Sequence, residues 1–233
     1  MNDLIIWTTR KIFIPFLLTA LLMFCNLALA DYVSPPDWSG NPYYTHQSWD
    51  FNETGRDEKG KPLPPKEPFL PDGKPSMVNP YGTPGYTFYA ANKKYFDWTY
   101  IPMRMKGWAR HGMWGSMGAG APAGLIFDIP NHRGKKLKTE LWLQYVISQY
   151  RGAEFTSSVY ADKNNPFIMI SRDKKKIKSG GGSGTWYRIT EIWEISPAPP
   201  VAHAKIEFSK NMGLIDQVSI DTRCVSVPGS RAR

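Results

Sequence analysis

The chain is poor in cysteine, with two in 233 residues, which excludes a scaffold built on disulfides. Cys25 lies inside an N-terminal apolar run, so once that run is removed Cys224 has no intramolecular partner. Histidine is also scarce, and His46, His111, His132 and His203 are scattered among turn-forming neighbours. No G-x-S-x-G elbow, H-E-x-x-H zinc helix, Walker loop or dinucleotide fingerprint occurs. The common nucleophilic, zinc-dependent and nucleotide-dependent chemistries therefore have no support in the sequence, and no cofactor is expected. Beyond residue 30 no apolar stretch approaches the ~18 residues that span a bilayer.

What is present begins with an export signal. Arg10-Lys11 is followed by the apolar run Ile12 to Leu22, then by Met23-Phe24-Cys25 and Ala28-Leu29-Ala30, the small-residue pattern of a cleavage site. Phe24 occupies the position where a lipobox wants a small residue, which argues against lipidation at Cys25. The expected mature chain is residues 31–233, secreted or held in the periplasm or cell envelope, with no transmembrane segment. Losing Asp3, Arg10 and Lys11 takes the formal net charge from +9 to +8. Such an excess favours acidic partners, which in that compartment means acidic polysaccharide or lipid headgroups rather than nucleic acid. The plain alternative is that the charge only keeps the protein soluble.

Prolines from Pro35-Pro36 to Pro84 break any regular ladder over residues 31–95, and a charged, proline-rich loop occupies 53–76. One short strand, Gln47 to Phe51, is expected within this segment. Regular β signals follow over residues 96–224, ahead of a basic tail at 225–233. In Lys136 to Ile147, Leu137, Thr139, Leu141, Leu143, Tyr145 and Ile147 share one face, with Lys138, Glu140, Trp142, Gln144 and Val146 on the other. A second strand, Thr185 to Ile195, places Tyr187, Ile189, Trp193 and Ile195 inward and Trp186, Arg188, Thr190 and Glu194 outward. Further strands are expected at 123–129, 156–160, 167–170, 204–208 and 214–221. With no amphipathic helix between them, the pattern predicts an all-β antiparallel sandwich, jelly-roll-like, behind a long Pro-rich N-terminal segment.

Several motifs in order carry a resemblance: Pro35-Pro36-Asp37-Trp38-Ser39-Gly40, Gln47-Ser48-Trp49, Asn79-Pro80-Tyr81-Gly82-Thr83-Pro84, Ile129-Pro130-Asn131, Glu140 to Gln144, and Ile220 to Val225. The chain resembles a group of secreted bacterial proteins, common in planctomycetes, that is associated with PEP-CTERM sorting signals. The resemblance implies no activity. Members continue past the cysteine into Pro-Glu-Pro, an apolar helix and a basic tail, whereas Val225 to Arg233 here has no such helix. A weaker likeness joins Ile215 to Ile220 to the closing strand of jelly-roll carbohydrate-binding modules. There the second of two adjacent acids helps hold calcium, but Gln217 takes that place beside Asp216.

Candidate chemistry follows from the strand faces. Trp142 and Trp186 fall on polar faces, where a flat ring can stack on a sugar, with Glu140, Gln144 and Arg188 near them to bind hydroxyls. The competing expectation is that the Pro-rich segment lies over this face and buries both tryptophans. Arg172, Lys174, Lys175, Lys176 and Lys178, followed by a Gly/Ser run, read as a mobile basic hairpin loop able to grip polyanions by charge. Glu191 breaks an apolar face, which points to a buried hydrogen bond or ion pair before it points to catalysis. The methionines around His111 suggest Cu(I) only weakly against ordinary core filling. The expected function is a non-catalytic extracellular or envelope binding protein that recognises polysaccharide through exposed aromatics. The alternatives are a structural or adhesive envelope protein meeting other proteins through its strand edges and, third, a polysaccharide-cleaving enzyme using two carboxylates.

Overall fold

The computed structural model describes residues 36–51, 55–56, 58–59, 62–63, 77–99, 103–105, 108–110, 112–116, 121–150, 152–180, 184–210 and 213–227. The expected signal peptide, most of the charged loop at 53–76 and the basic tail past residue 227 lie outside them. The strands are β1 (Thr45–Asp50), β2 (Gly55–Arg56), β3 (Pro62–Leu63), β4 (Met77–Val78), β5 (Gly85–Ala90), β6 (Phe96–Thr99), β7 (Met103–Met105), β8 (Trp108–Arg110) and β9 (Met113–Ser116). They continue as β10 (Ala123–Pro130), β11 (Leu137–Gln149), β12 (Glu154–Asp162), β13 (Asn165–Pro166), β14 (Ile168–Gly180), β15 (Gly184–Ile195), β16 (Val201–Lys210) and β17 (Gly213–Ser226).

Two antiparallel sheets pack face to face as an all-β sandwich. The eight-stranded sheet runs β14-β15-β11-β17-β1-β4, with β9 also pairing β17 and β6 pairing β9. The five-stranded sheet runs β13-β12-β16-β10-β5. Period-two alternation explains why these segments form strands with one dry face. Leu141, Leu143, Tyr145 and Ile147 of β11 lie opposite Trp193, Glu191, Ile189 and Tyr187 of β15. Ala123, Leu125, Phe127 and Ile129 of β10, together with Ala202, Ala204, Ile206 and Phe208 of β16, form the facing layer, and all are fully buried. At Gly124 of β10 a Cβ would strike the Ile206 carbonyl oxygen of β16.

The sandwich also draws on the Pro-rich segment, so residue 95 is not where the folded body begins. β1 pairs β17 across about 170 residues of sequence, with Trp49 opposite Val218, and β5 is the edge of the five-stranded sheet. Trp49 and Phe51 are fully buried in the main core.

The expected basic loop is instead strand. β14 pairs β15 from Ile168 to Gly180, so Arg172, Lys174, Lys175 and Lys176 lie on a sheet edge; Lys178 is on the same strand, its side chain outside the described residues. Ser171 to Lys176 carries no alternation of apolar and polar residues and is exposed throughout, so only its pairing with β15 marks it as strand.

Candidate functional site

The outward face of the eight-stranded sheet is where the sequence places its sugar-binding residues, and the structure rearranges them. Trp186 is fully buried, packed with Met113 and Val146 in a second small core that Ile177 and Leu214 flank. It offers no surface to a ligand, which corrects its expected role as an exposed stacking ring. Gln144 is buried and donates to Thr190 Oγ1 at 2.8 Å. Arg188 is half-buried beside them on β15.

Trp142 and Glu140 fare differently. Trp142 is half-buried, with Trp38 of the Pro-rich segment set edge-on against it at 6.0 Å between ring centres. Thus the N-terminal segment does lie against this face, at this one tryptophan. The Trp142 indole N–H is buried and meets no acceptor among the described residues, so only its ring is available for contact. Glu140 belongs to a charged ladder across three strands. Lys138 reaches Glu194 at 2.8 Å and Glu140 at 2.9 Å, and Arg223 closes on Glu140 at 2.5 Å. The Arg223 guanidinium in turn lies 4.4 Å from the Trp38 ring centre. Burial pushes the Glu140 carboxyl up, but the hydrogen bonds from Lys138 and Arg223 outweigh it and hold the acid below its usual range.

Glu194 links this ladder to a groove of about 570 Å³ at the end of the sandwich. Arg133 comes from the β10–β11 loop, Asp162 from the end of β12, Asn164 from the turn that follows, Asn165 from the start of β13, and Ile168 from the start of β14. Pro197, Pro199 and Pro200 of the β15–β16 loop give it a stiff apolar wall. Asp162 is fixed by the turn itself: it accepts from the Asn164 backbone N–H at 2.8 Å and from Asn165 Nδ2 at 2.6 Å. Those bonds, the Asn165 side chain first, hold its carboxyl below the usual range. Apart from Glu194 and Ile168, which fall in expected strands, strand periodicity marks none of these residues. The groove's readable signals were the Asp-Lys-Asn-Asn-Pro turn and the Ser-Pro-Ala-Pro-Pro run, but only tertiary structure brings the two together.

Glu191 is fully buried and fully engaged. Tyr145 and Ser157 donate to its Oε1 at 3.0 and 2.6 Å, Trp193 Nε1 donates to Oε2 at 3.1 Å, and Arg172 Nε lies 3.3 Å from Oε1. Because Ser157 is on β12, the cluster ties the two sheets together.

Among the described residues two carboxylate–histidine pairs occur elsewhere. His46 Nδ1 lies 2.8 Å from Asp221 Oδ1, which also accepts from Tyr44 at 2.9 Å. His203 Nδ1 lies 2.7 Å from Asp128 on the open face of the five-stranded sheet. Cys224 is buried against Asn131 and Thr139, and burial pushes its thiol up, away from the reactive thiolate. Among the described residues no cluster of three or more His, Cys, Asp or Glu could hold a metal ion, and no helix is long and apolar enough to cross a membrane. No protein-family model matches the chain, and no match to it was found among curated proteins.

Proposed function

We propose that this is a non-catalytic binding protein of the cell exterior or envelope that takes a segment of polysaccharide into the end groove. The carrying observation is the lining, which combines Asp162, Asn164, Asn165, Glu194 and Arg133 with prolines and Ile168. Planar carboxylate, amide and guanidinium groups pair with vicinal hydroxyls, while flat apolar walls meet the C–H face of a sugar ring. The volume lies within the ~300–1,000 Å³ of ordinary ligand pockets. Trp142 and Glu140, one strand from Glu194, extend the contact along the ladder, and the likeness to secreted bacterial proteins agrees with an exterior location.

Proton donation fits the groove poorly. A glycosidase acid needs a raised pKa, but Asp162 is held low and Glu194 is tied to Lys138. The test is binding of residues 31–233 to a panel of neutral and acidic polysaccharides at low and moderate salt, with product analysis. Salt-resistant binding that drops about tenfold or more in Asn165→Ala and Glu194→Gln supports the reading. Retention of full affinity by both variants, no binding to any member of the panel, or the appearance of cleavage products overturns it.

A further inference from the structure

The geometry points to a second binding surface: we propose that the free edge of β14 accepts an extended acidic segment of another protein as an added antiparallel strand. Among the described residues β14 has one neighbour, β15. Its other side presents alternate backbone N–H and C=O groups to solvent. Register shifts at Met169/Ser171 and Lys176/Lys178 bracket a straight stretch, Ser171 to Lys176, which is long enough to seat a short strand.

Two features of this edge select the occupant. At its start, Ile168, Met169 and Ile170 are 70%, 38% and 54% exposed, an apolar triplet of high β propensity that ordinary edge protection would remove. Along the straight stretch stand Arg172, Lys174, Lys175 and Lys176 against the single acid Asp173. Glu191 neutralises Arg172 from within, and Lys174 bends back to Gln149 Oε1 at 2.7 Å and over the Tyr187 ring at 4.0 Å. Lys175 and Lys176 remain exposed. A second copy is the wrong partner, because pairing β14 with itself across this stretch sets cation against cation. An antiparallel guest should carry acids first, opposite Lys176 to Arg172, and apolar residues after them, over Ile170 to Ile168.

The probe is a capped peptide of about ten residues, glutamate alternating with threonine in its first half and valine with threonine in its second. Binding to the full-length protein is read by fluorescence anisotropy, and insertion by slowed amide exchange along β14. The expected result is saturable binding with β14 amides protected, weakened about tenfold in a Lys175→Glu, Lys176→Glu double variant and in Ile170→Thr. Peptide N-methylated at alternate residues should bind at least about tenfold more weakly, since it keeps every charge but cannot form the ladder. Equal binding of the methylated peptide, or binding without β14 protection, overturns the proposal. So does a sulfated polysaccharide that competes fully while leaving β14 exchange unchanged, because charge alone would then explain capture. Asn165→Ala should leave peptide binding intact, which separates this surface from the polar lining of the groove, with which it shares Ile168.

Discussion

Glu191 is the residue on which the interior depends most. A carboxylate at zero exposure survives because four donors from three strands of one sheet and from β12 of the other converge on it. Removing it strands the Tyr145 hydroxyl and the Trp193 N–H together. Glu191→Ala should therefore cost about 2–5 kcal/mol in urea unfolding, mostly from the buried Tyr145 and Trp193 donors left unpaired, since Arg172 is 36% exposed and can turn to water. Glu191→Gln, which keeps an acceptor but loses the charge, should cost visibly less. An alanine variant as stable as the parent would show that the cluster contributes nothing net.

At the scale of the strand, alternation names the two faces but does not say what lies above each. β11 and β15 form where the period-two pattern sets them, and inward Leu141, Leu143, Tyr145, Ile147, Ile189 and Trp193 are buried, but so are Gln144, Val146, Ser148 and Trp186 of the outward face. Trp186 was legible as outward, and so it is. Its burial comes from Met113 of the four-residue β9, which reaches it only because β9 pairs with β17 about 100 residues later. No local pattern encodes that. The groove was hidden for a related reason, since the β12–β13 turn and the β15–β16 loop lie about 30 residues apart, Arg133 comes from a third loop, and they meet only once β11, β12 and β15 are in place. Hence Trp186→Ala should act as a core deletion, losing about 3–5 kcal/mol in stability. Trp142→Ala, half-exposed on the same face, should lose much less. Thermal unfolding of both variants checks this; equal losses would mean that the second core does not pack as described.

Across the whole molecule, burial is expressed most plainly in the tyrosines. Burial pushes Tyr86 up to about 12 and raises Tyr145, Tyr44 and Tyr89 as well, with Asp221 adding to the effect at Tyr44, Glu191 at Tyr145 and Glu207 at Tyr89. These rings come from β5, β11 and the entry to β1, so they sample both sheets. In an unfolded chain each would ionise near pH ~10. Above that pH the unfolded state binds fewer protons than the folded one, so stability must fall as pH rises, while below it the contribution is fully present. At the acid end the sign reverses: Glu140 and Glu207, held below their usual range by partners that outweigh burial, add stability at neutral pH that is lost as they protonate. An alkaline titration followed by tyrosinate absorbance and circular dichroism should show exposed tyrosines ionising first. A later, steep step should then carry the buried rings and the loss of β structure together, because Tyr145 cannot give up its proton while Glu191 stands beside it in a closed core. If all the tyrosines ionise smoothly near pH ~10 with the β signal unchanged, water reaches the interior and the two sheets are not sealed as the structure has them.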